Sequence, residues 1–302
     1  MTAKPLISIV TPTLNQVQTL RECMRSVLEQ EGVGSLFDLQ YIVVDGGSDD
    51  GSLEIIESFR ERLHWFRSGA DDGPYDAVNR GFDHASGHVM GWLNGDDVLC
   101  PWALRTIASV FESVPDCRWL TSRRPIAMDS TGQIASVHCR PGFAAAAILA
   151  GAHHPASREA LPYIQQESTF FTRELWEQVD RKIETSFSLA GDFDLWLRMA
   201  EHAPLDSVPV PLGMFRCVAG QRSSQTEAYE AECTKSLRER QGIVLHPNAS
   251  PRQASFLQRF RRRILKQPLW SYECQVLERD NLETTQAGWK RKARIMTEAD
   301  WS

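Results

Sequence analysis

The sequence predicts an α/β protein: a mostly parallel, nucleotide-binding sheet flanked by helices, fused to a smaller mixed part and followed by a helical C-terminal extension. Three observations predict it. Over residues 1–115, short β-branched apolar runs alternate with segments of helical periodicity, which calls for parallel strands and right-handed crossovers. Polar residues collect after those strands, at 11–15, 45–52 and 94–97, the edge where open α/β sheets bind ligands. From about residue 120 the alternation gives way to mixed segments, and beyond about residue 226 it is lost.

Residues 6–13, LISIVTPT, form a β-branched strand that turns out at Pro12. In 17–30, Leu20, Met24, Val27 and Leu28 have amphipathic helical spacing. Residues 39–44 are a second strand, ended by DGGSDDGS, a loop able to cap a helix over 53–62. A third short strand spans 63–66. The stretch 67–99 organises the rest. A loop with Asp71, Asp72 and Gly73 leads into a helix over 75–85, and the apolar run 88–93 halts at Asn94-Gly95-Asp96-Asp97. That turn presents two adjacent hard carboxylates at a strand's carboxyl end. Alone, such a pair is more often a solvated turn.

Pro101 then opens a helix through Phe111. Residues 124–128 and 133–137, joined by DSTG, read as an antiparallel hairpin. The Ala-rich run 143–150 reads as a buried or interfacial helix, and 165–171 as a strand leading through Thr172 into a helix over 173–179. Gly191-Asp192-Phe193-Asp194 opens a helix carrying Leu195, Trp196, Leu197 and Met199; an Asp there also serves as a plain cap. Residues 207–218, with Pro209 and Pro211, read as one edge strand.

Composition narrows the partners. With 302 residues, 42% hydrophobic and 24% charged, the chain has the make-up of an ordinary globular protein. A net charge of -6 argues against general nucleic-acid binding. Seven scattered cysteines without a CxxC pair speak against a zinc ribbon or disulfide framework and for a reducing, cytoplasmic setting. The N-terminus lacks a signal-peptide core, and no window approaches the roughly 20 apolar residues that span a bilayer. Neither GxGxxG nor GxxxxGK[ST] occurs. His153-His154 has no metal-ligand spacing to another cluster and reads as ordinary loop. The segment 251–270 holds Arg252, Arg259, Arg261, Arg262, Arg263 and Lys266 and no acid, with Phe256, Phe260, Ile264 and Leu265 mostly on one helical face. Two readings stay open there: a helix touching anionic lipid at the inner face of a membrane, or one packing on the rest of the chain.

Taken in order, SIVTPTLNQ, YIVVDGGSDDGS, SGADDGPYDAVNRG, GHVMGWLNGDDVL, QQESTFF and GDFDLWLRMA resemble the pattern of glycosyltransferase family 2, over roughly residues 5–224. The resemblance implies a GT-A fold over 1–225, with a nucleotide-binding half (1–115) and an acceptor half (116–225), followed by the helical extension 226–302. It implies inverting, metal-dependent transfer of a sugar from a nucleotide-diphosphate donor to a saccharide or lipid-linked saccharide, as in surface polysaccharide or glycolipid synthesis. Thr11 and Pro12 match the base and ribose pocket, with Asn15 in the same donor loop. Asp45 matches the carboxylate that accepts the base's ring N–H, which suits UDP, dTDP or GDP donors. Asp76 matches the helix start under the nucleotide; Asn79 there fits a turn-bonding role equally well. Asp96 and Asp97 match the metal motif, Asp97 as the better ligand for Mn²⁺ or Mg²⁺ and Asp96 facing the ribose or the metal's waters. Gly95 stands where many relatives carry Ala. Gln166 and Glu167 match an acceptor-binding pair, and Arg216 and Arg222 a loop over the diphosphate. Asp192 matches the catalytic base, although Gly191 replaces the acid that precedes it; Asp194 is its rival. Two alternatives remain: a non-catalytic sugar-nucleotide or saccharide binding module, and a nucleotidyltransferase, for which TPTLNQVQ lacks the Gly-rich basic loop.

Overall fold

The computed structural model describes residues 4–157, 159, 161–218, 220–244, 271–280, 288–297 and 300. The strands are β1 (Leu6–Thr13), β2 (Asp38–Asp45), β3 (Trp65–Ser68), β4 (Val89–Trp92), β5 (Val98–Leu99), β6 (Trp119–Ser122), β7 (Ile126–Met128), β8 (Ile134–Val137), β9 (Phe170–Thr172), β10 (Asp206–Val208), β11 (Gly213–Arg216), β12 (Ser271–Arg279) and β13 (Trp289–Thr297). The helices are α1 (Leu20–Leu28), α2 (Ser52–Ser58), α3 (Pro74–Asp83), α4 (Ala103–Ser113), α5 (Ala145–Leu149), α6 (Arg173–Gln178), α7 (Gly191–His202) and α8 (Thr226–Gln241).

A seven-stranded sheet in the order β10-β6-β9-β4-β1-β2-β3 forms the middle layer. The pairs β1–β2, β1–β4, β2–β3 and β6–β10 are parallel, and β9 runs antiparallel to both β4 and β6. The period of two along β1 divides the core. Ile7 and Ile9 pack under α1 and α4, against Leu20, Met24 and Ile107. On the other face, Val10, Met90 and Trp92 pack under α3 and α7, against Val78, Phe82 and Trp196. Strands buried on both faces read as continuous apolar runs, which is why 6–13 is legible as a strand. A second sheet, β5-β11-β7-β8, stands over the carboxyl end of β4.

Several expectations need amendment. The extended segment 207–218 is two strands: β10 on the edge of the main sheet, and β11 inside the second sheet between β5 and β7. Pro209 and Pro211, which have no N–H to donate, fall in the link. Among the described residues of the extension α8 is helical, whereas Ser271–Arg279 and Trp289–Thr297 pair as an antiparallel hairpin. It forms because Cys274, Val276 and Met296 pack on Ala144, Ala147 and Leu161, while Arg291 pairs with the buried Asp206 at 2.6 Å. The basic segment 251–270 lies outside the described residues. Among the described residues, no helix is long and apolar enough to cross a membrane.

Candidate active site

The loops after β1, β2 and β4 meet at one edge of the sheet. Asn15 adopts a left-handed backbone, φ 52°, and staples two of them: its N–H donates to Ser48 Oγ (2.8 Å) and its Oδ1 accepts from Asp49 N (3.0 Å). Asp45 is fully buried. Its carboxylate accepts from Gly47 N (3.2 Å), Ser48 N (3.0 Å), Ser48 Oγ and Ser68 Oγ (2.6 Å). Thr11 is also buried, its hydroxyl accepting from Tyr41 (2.9 Å); Pro12 beside it is buried too. Asp76 sits in the first turn of α3, paired with Arg80 (2.7 Å) and accepting from Asp72 N (3.1 Å). Asn79 exchanges two 2.8 Å hydrogen bonds with the backbone of Ile183, a structural role. Asp71, which sequence reasoning gave no role, joins this edge, its carboxyl raised by burial.

The two carboxylates after β4 differ in exposure. Asp97 is 1% exposed, with Oδ1 accepting from Arg216 N (2.9 Å) and Oδ2 within 3.4 Å of Asn94 Nδ2. Burial, then Asp96 and Glu167, push its carboxyl well above the usual range. Asp96 keeps partial exposure; burial raises it too, with Gln16 among the groups that oppose the rise. The accessible oxygen donor of the pair is Asp96, because the β5–β11 pairing turns Asp97 inward. A Cβ at Gly95 would meet the amide end of Gln16, so an Ala there requires that flexible side chain to shift.

Arg216 is 2% exposed and committed to the fold. Nε donates to the Asp96 carbonyl (2.8 Å) and Nη2 to Glu22 (2.6 Å), so it is no free partner for a diphosphate. Arg222 is exposed in the short helix Arg222–Ser224, near enough to Tyr75 to act on its hydroxyl. Gln166 bridges the Trp92 carbonyl (2.5 Å) and Asn94 (3.2 Å), which makes it a positioning residue for the carboxylate turn. Glu167 is buried with Oε1 unpartnered among the described residues. Burial, with Asp192 and Asp96 adding repulsion, raises it to about 8.

Asp192 completes the group. Its position is built from α3 and α8. The hydroxyl of Tyr75 donates to the Leu189 carbonyl (2.7 Å), and its ring lies against the Cα of Gly191, where a Cβ would meet Cε2 at 2.7 Å. That contact explains the missing acid before Asp192. From α8, Glu232 accepts the N–H groups of Ser188 (2.9 Å), Leu189 (2.7 Å) and Ala190 (2.8 Å), fixing the chain as it enters α7. Asp192 retains partial exposure, and burial raises its carboxyl to about 6 against the opposing Phe193 N–H bond (2.8 Å). Asp194 faces the other way. It is fully buried and holds Arg198 (3.0 Å), Arg240 (3.0 Å) and Ser236 (2.9 Å). Tyr75, Glu232 and Arg240 were invisible as site residues because their partners lie over 40 positions away in sequence.

Among the described residues, no three His, Cys, Asp or Glu side chains form a ready metal cage. The donor set is nonetheless hard oxygen, as Mg²⁺ or Mn²⁺ requires. The raised carboxyls of Asp96, Asp97 and Glu167 mark a site short of positive charge.

Residues 8–136 match the family described as glycosyl transferase family 2. That part of the chain is similar to the family 2 glycosyltransferases. It is 41% identical over 101 residues to a PGL/p-HBAD biosynthesis glycosyltransferase of Mycobacterium bovis (strain BCG / Pasteur 1173P2), covering 32% of this chain and 38% of that protein. The alignment thus spans little over a third of that relative's length. A longer match, 28% identical over 239 residues, covers 75% of this chain and 72% of an uncharacterized protein of Mycobacterium tuberculosis (strain CDC 1551 / Oshkosh). Among solved structures, S. aureus TarS in complex with UDP-GlcNAc superposes with a TM-score of 0.59 at 16% identity, over 89% of this chain and 78% of that one. The mannosyltransferase PcManGT from Pyrobaculum calidifontis, in complex with GDP-Man and Mn2+, gives 0.53 at 17% identity over 83% and 68%. These likenesses establish the GT-A fold of the glycosyltransferase domain.

Proposed function

We propose that this protein transfers a sugar, with inversion, from a nucleoside-diphosphate donor to a hydroxyl of a saccharide or lipid-linked saccharide, using a divalent metal held through Asp96. The observation that carries the proposal is Asp192, a partly exposed carboxylate tuned to about 6 by burial and within electrostatic reach of Glu167, which in turn feels Asp96. Acid–base and donor-side carboxylates therefore lie within electrostatic reach of one another.

The chemistry follows from that placement. Asp192 takes the acceptor's proton as its oxygen bonds to the anomeric carbon, while the bond from that carbon to the diphosphate breaks on the opposite face. A general base contributes about 10²–10⁴-fold and works best with a pKa near the working pH, which fits a carboxyl near 6. A bound Mn²⁺ or Mg²⁺ neutralises diphosphate charge as the leaving group departs. Arg222 is the exposed cation on the Tyr75 side available to the same charge. The UDP-GlcNAc and GDP-Man complexes of the structural neighbours support uridine or guanosine donors, and PcManGT's Mn2+ supports the metal. In this reading the acceptor lies at a membrane surface reached through the basic run 252–266, which salt-sensitive binding to anionic vesicles tests.

The experiment is a thermal-shift panel of UDP, GDP, dTDP and CDP with and without Mn²⁺, since a ligand of the folded state raises its stability by mass action. One of the first three should raise the melting temperature in a Mn²⁺-dependent way. No response to any nucleotide, or an equal response to CDP, contradicts the reading.

A further inference from the structure

Asp192 lies between two grips that α8 exerts on the head of α7. Glu232, Ser236 and Arg240 stand four residues apart on α8 and so share one stripe of its surface. Ser236 (2.9 Å) and Arg240 (3.0 Å) hold the carboxylate of Asp194. Glu232 holds the chain on the other side of Asp192: Oε1 accepts from Ser188 N (2.9 Å), and Oε2 from Leu189 N (2.7 Å) and Ala190 N (2.8 Å). Three N–H groups converging on one side chain call for two acceptor oxygens and no donor, which a carboxylate provides. Ala190, at the cap position of α7, offers no side-chain bond of its own, so that end is supported from α8. The Tyr75 hydroxyl closes the clamp from α3 by donating to the Leu189 carbonyl (2.7 Å).

Within this clamp the two oxygens of Asp192 differ. Oδ1 accepts from Phe193 N (2.8 Å) and has the Tyr75 hydroxyl 3.4 Å away. Oδ2 takes no hydrogen bond among the described residues and is not sealed from solvent. One oxygen is tied to the fold and the other is open, the division a general base needs.

We propose that Glu232 is a positioning residue: its hold on residues 188–190 keeps Asp192 turned with Oδ2 toward the acceptor hydroxyl. The proposal rests on the reading of Asp192 as the base and deepens it. Glu232 acts through the backbone, and a displacement of about 1 Å at a reacting group is enough to cost about 10²-fold in rate.

Electrostatics give this role a signature that packing alone lacks. Burial raises the Asp192 carboxyl to about 6; the Phe193 N–H and the Tyr75 hydroxyl oppose the rise, and the Glu232 carboxylate adds to it. The other titratable or charged groups facing Asp192 are Glu167 before β9, Tyr229 and Cys233 on α8, His153 and Tyr163 across a small shared cavity, and Arg222 beside Tyr75. Glu232→Gln and Tyr75→Phe leave all of these in place.

The test uses the full chain and two readouts. NMR of carboxyl-labelled aspartate follows the Asp192 titration, its signal identified by loss in Asp192→Asn. Nucleoside-diphosphate release, with Mn²⁺, UDP-GlcNAc or GDP-Man as donor and methyl glycosides as acceptors, gives kcat beside nucleotide Kd. The rates are compared at pH 8, where Asp192 is ionised in every form and only its placement differs. Glu232→Gln should move the Asp192 midpoint to lower pH and Tyr75→Phe should move it to higher pH. Glu232→Gln should also lower kcat by about 10²-fold with nucleotide Kd unchanged. Glu232→Asp keeps the charge but is one methylene shorter; it should hold the midpoint and still lose kcat, and it decides the matter where the Gln variant does not fold. The proposal is overturned when either Glu232 variant turns over like the wild type, when the Asp192 midpoint in Glu232→Gln stays where it is in the wild type, or when nucleotide binding falls in step with turnover. Absence of release in the wild type, with the midpoints moving as stated, removes the transferase reading instead and leaves Glu232 a structural role only.

Discussion

Replacing Asp194 by Ala separates structure from chemistry at the head of α7. Asp194 is 0% exposed and its two oxygens take Ser236 Oγ (2.9 Å), Arg240 Nε (3.0 Å) and Arg198 Nε (3.0 Å). Without it, Arg198, whose side chain is 7% exposed, keeps only the carbonyls of Val179 (2.6 Å) and Lys182 (2.8 Å). Removing one partner of a buried pair costs about 3–5 kcal/mol. Arg240, 32% exposed and 3.5 Å from Glu184, recovers part of its share from water and that carboxylate, so the low end, ~3 kcal/mol, applies. At roughly 2–4 °C per kcal/mol for a domain of this size, melting should fall by about 6–12 °C. Thermal melts and urea titration measure the fall, with nucleotide release as a parallel readout. A melting temperature within about 2 °C of wild type, accompanied by loss of turnover, would refute the reasoning and move Asp194 into the chemistry.

Asp96→Asn should abolish the Mn²⁺-dependent part of nucleotide stabilisation, while Asp97→Asn keeps some of it and loses more intrinsic stability; the same melts decide, and the reverse ranking would mean that Asp97 turns outward. Gly191→Ala drives a Cβ into the Tyr75 ring and should cost about 1–3 kcal/mol by overpacking, recovered in part by Tyr75→Leu in a double variant. The pH dependence has a fixed sign. The folded pKa of Asp192, about 6, exceeds its ordinary 3.8, so its contribution to stability is full below about pH 4 and is lost as pH rises through 6, by up to ~3 kcal/mol at 1.36 per pH unit. Glu167 adds the same sign between 4.5 and about 8. Urea titrations from pH 4 to 8 should show the slope, and Asp192→Asn should flatten its lower half; stability rising over that range in the wild type would contradict it.

Much of this was legible in the sequence, for physical reasons. Strand β1 and the 126–137 hairpin announce themselves through apolar continuity and through alternation around a turn. Asp192 and Asp194, two residues apart on a helix at roughly 100° per residue, must face nearly opposite sides. Which side meets the cleft is decided by Arg240 and Ser236 on α8, far along the chain. The choice between Asp96 and Asp97 was equally hidden, because Arg216 N, 119 residues away, takes the second carboxylate. Arg216 looked like a loop cation until its partners, Glu22 and the Asp96 carbonyl, were in view. The β12–β13 hairpin escaped because Lys290, Lys292 and Arg294, in register with Glu278, Val276 and Cys274, dilute its apolar face. That face needs the packing against Ala144 and Ala147 to exist.

The central claim is that Asp192 is the base of a metal-assisted transferase, and it is tested most directly by kcat and nucleotide Kd measured side by side on wild type and Asp192→Asn. The account predicts Kd within about 3-fold of wild type in the presence of Mn²⁺, because Asp192 touches neither nucleotide nor metal, together with a fall in kcat of about 10²-fold or more. A variant that turns over like the wild type, or one that loses nucleotide binding in step with turnover, contradicts it.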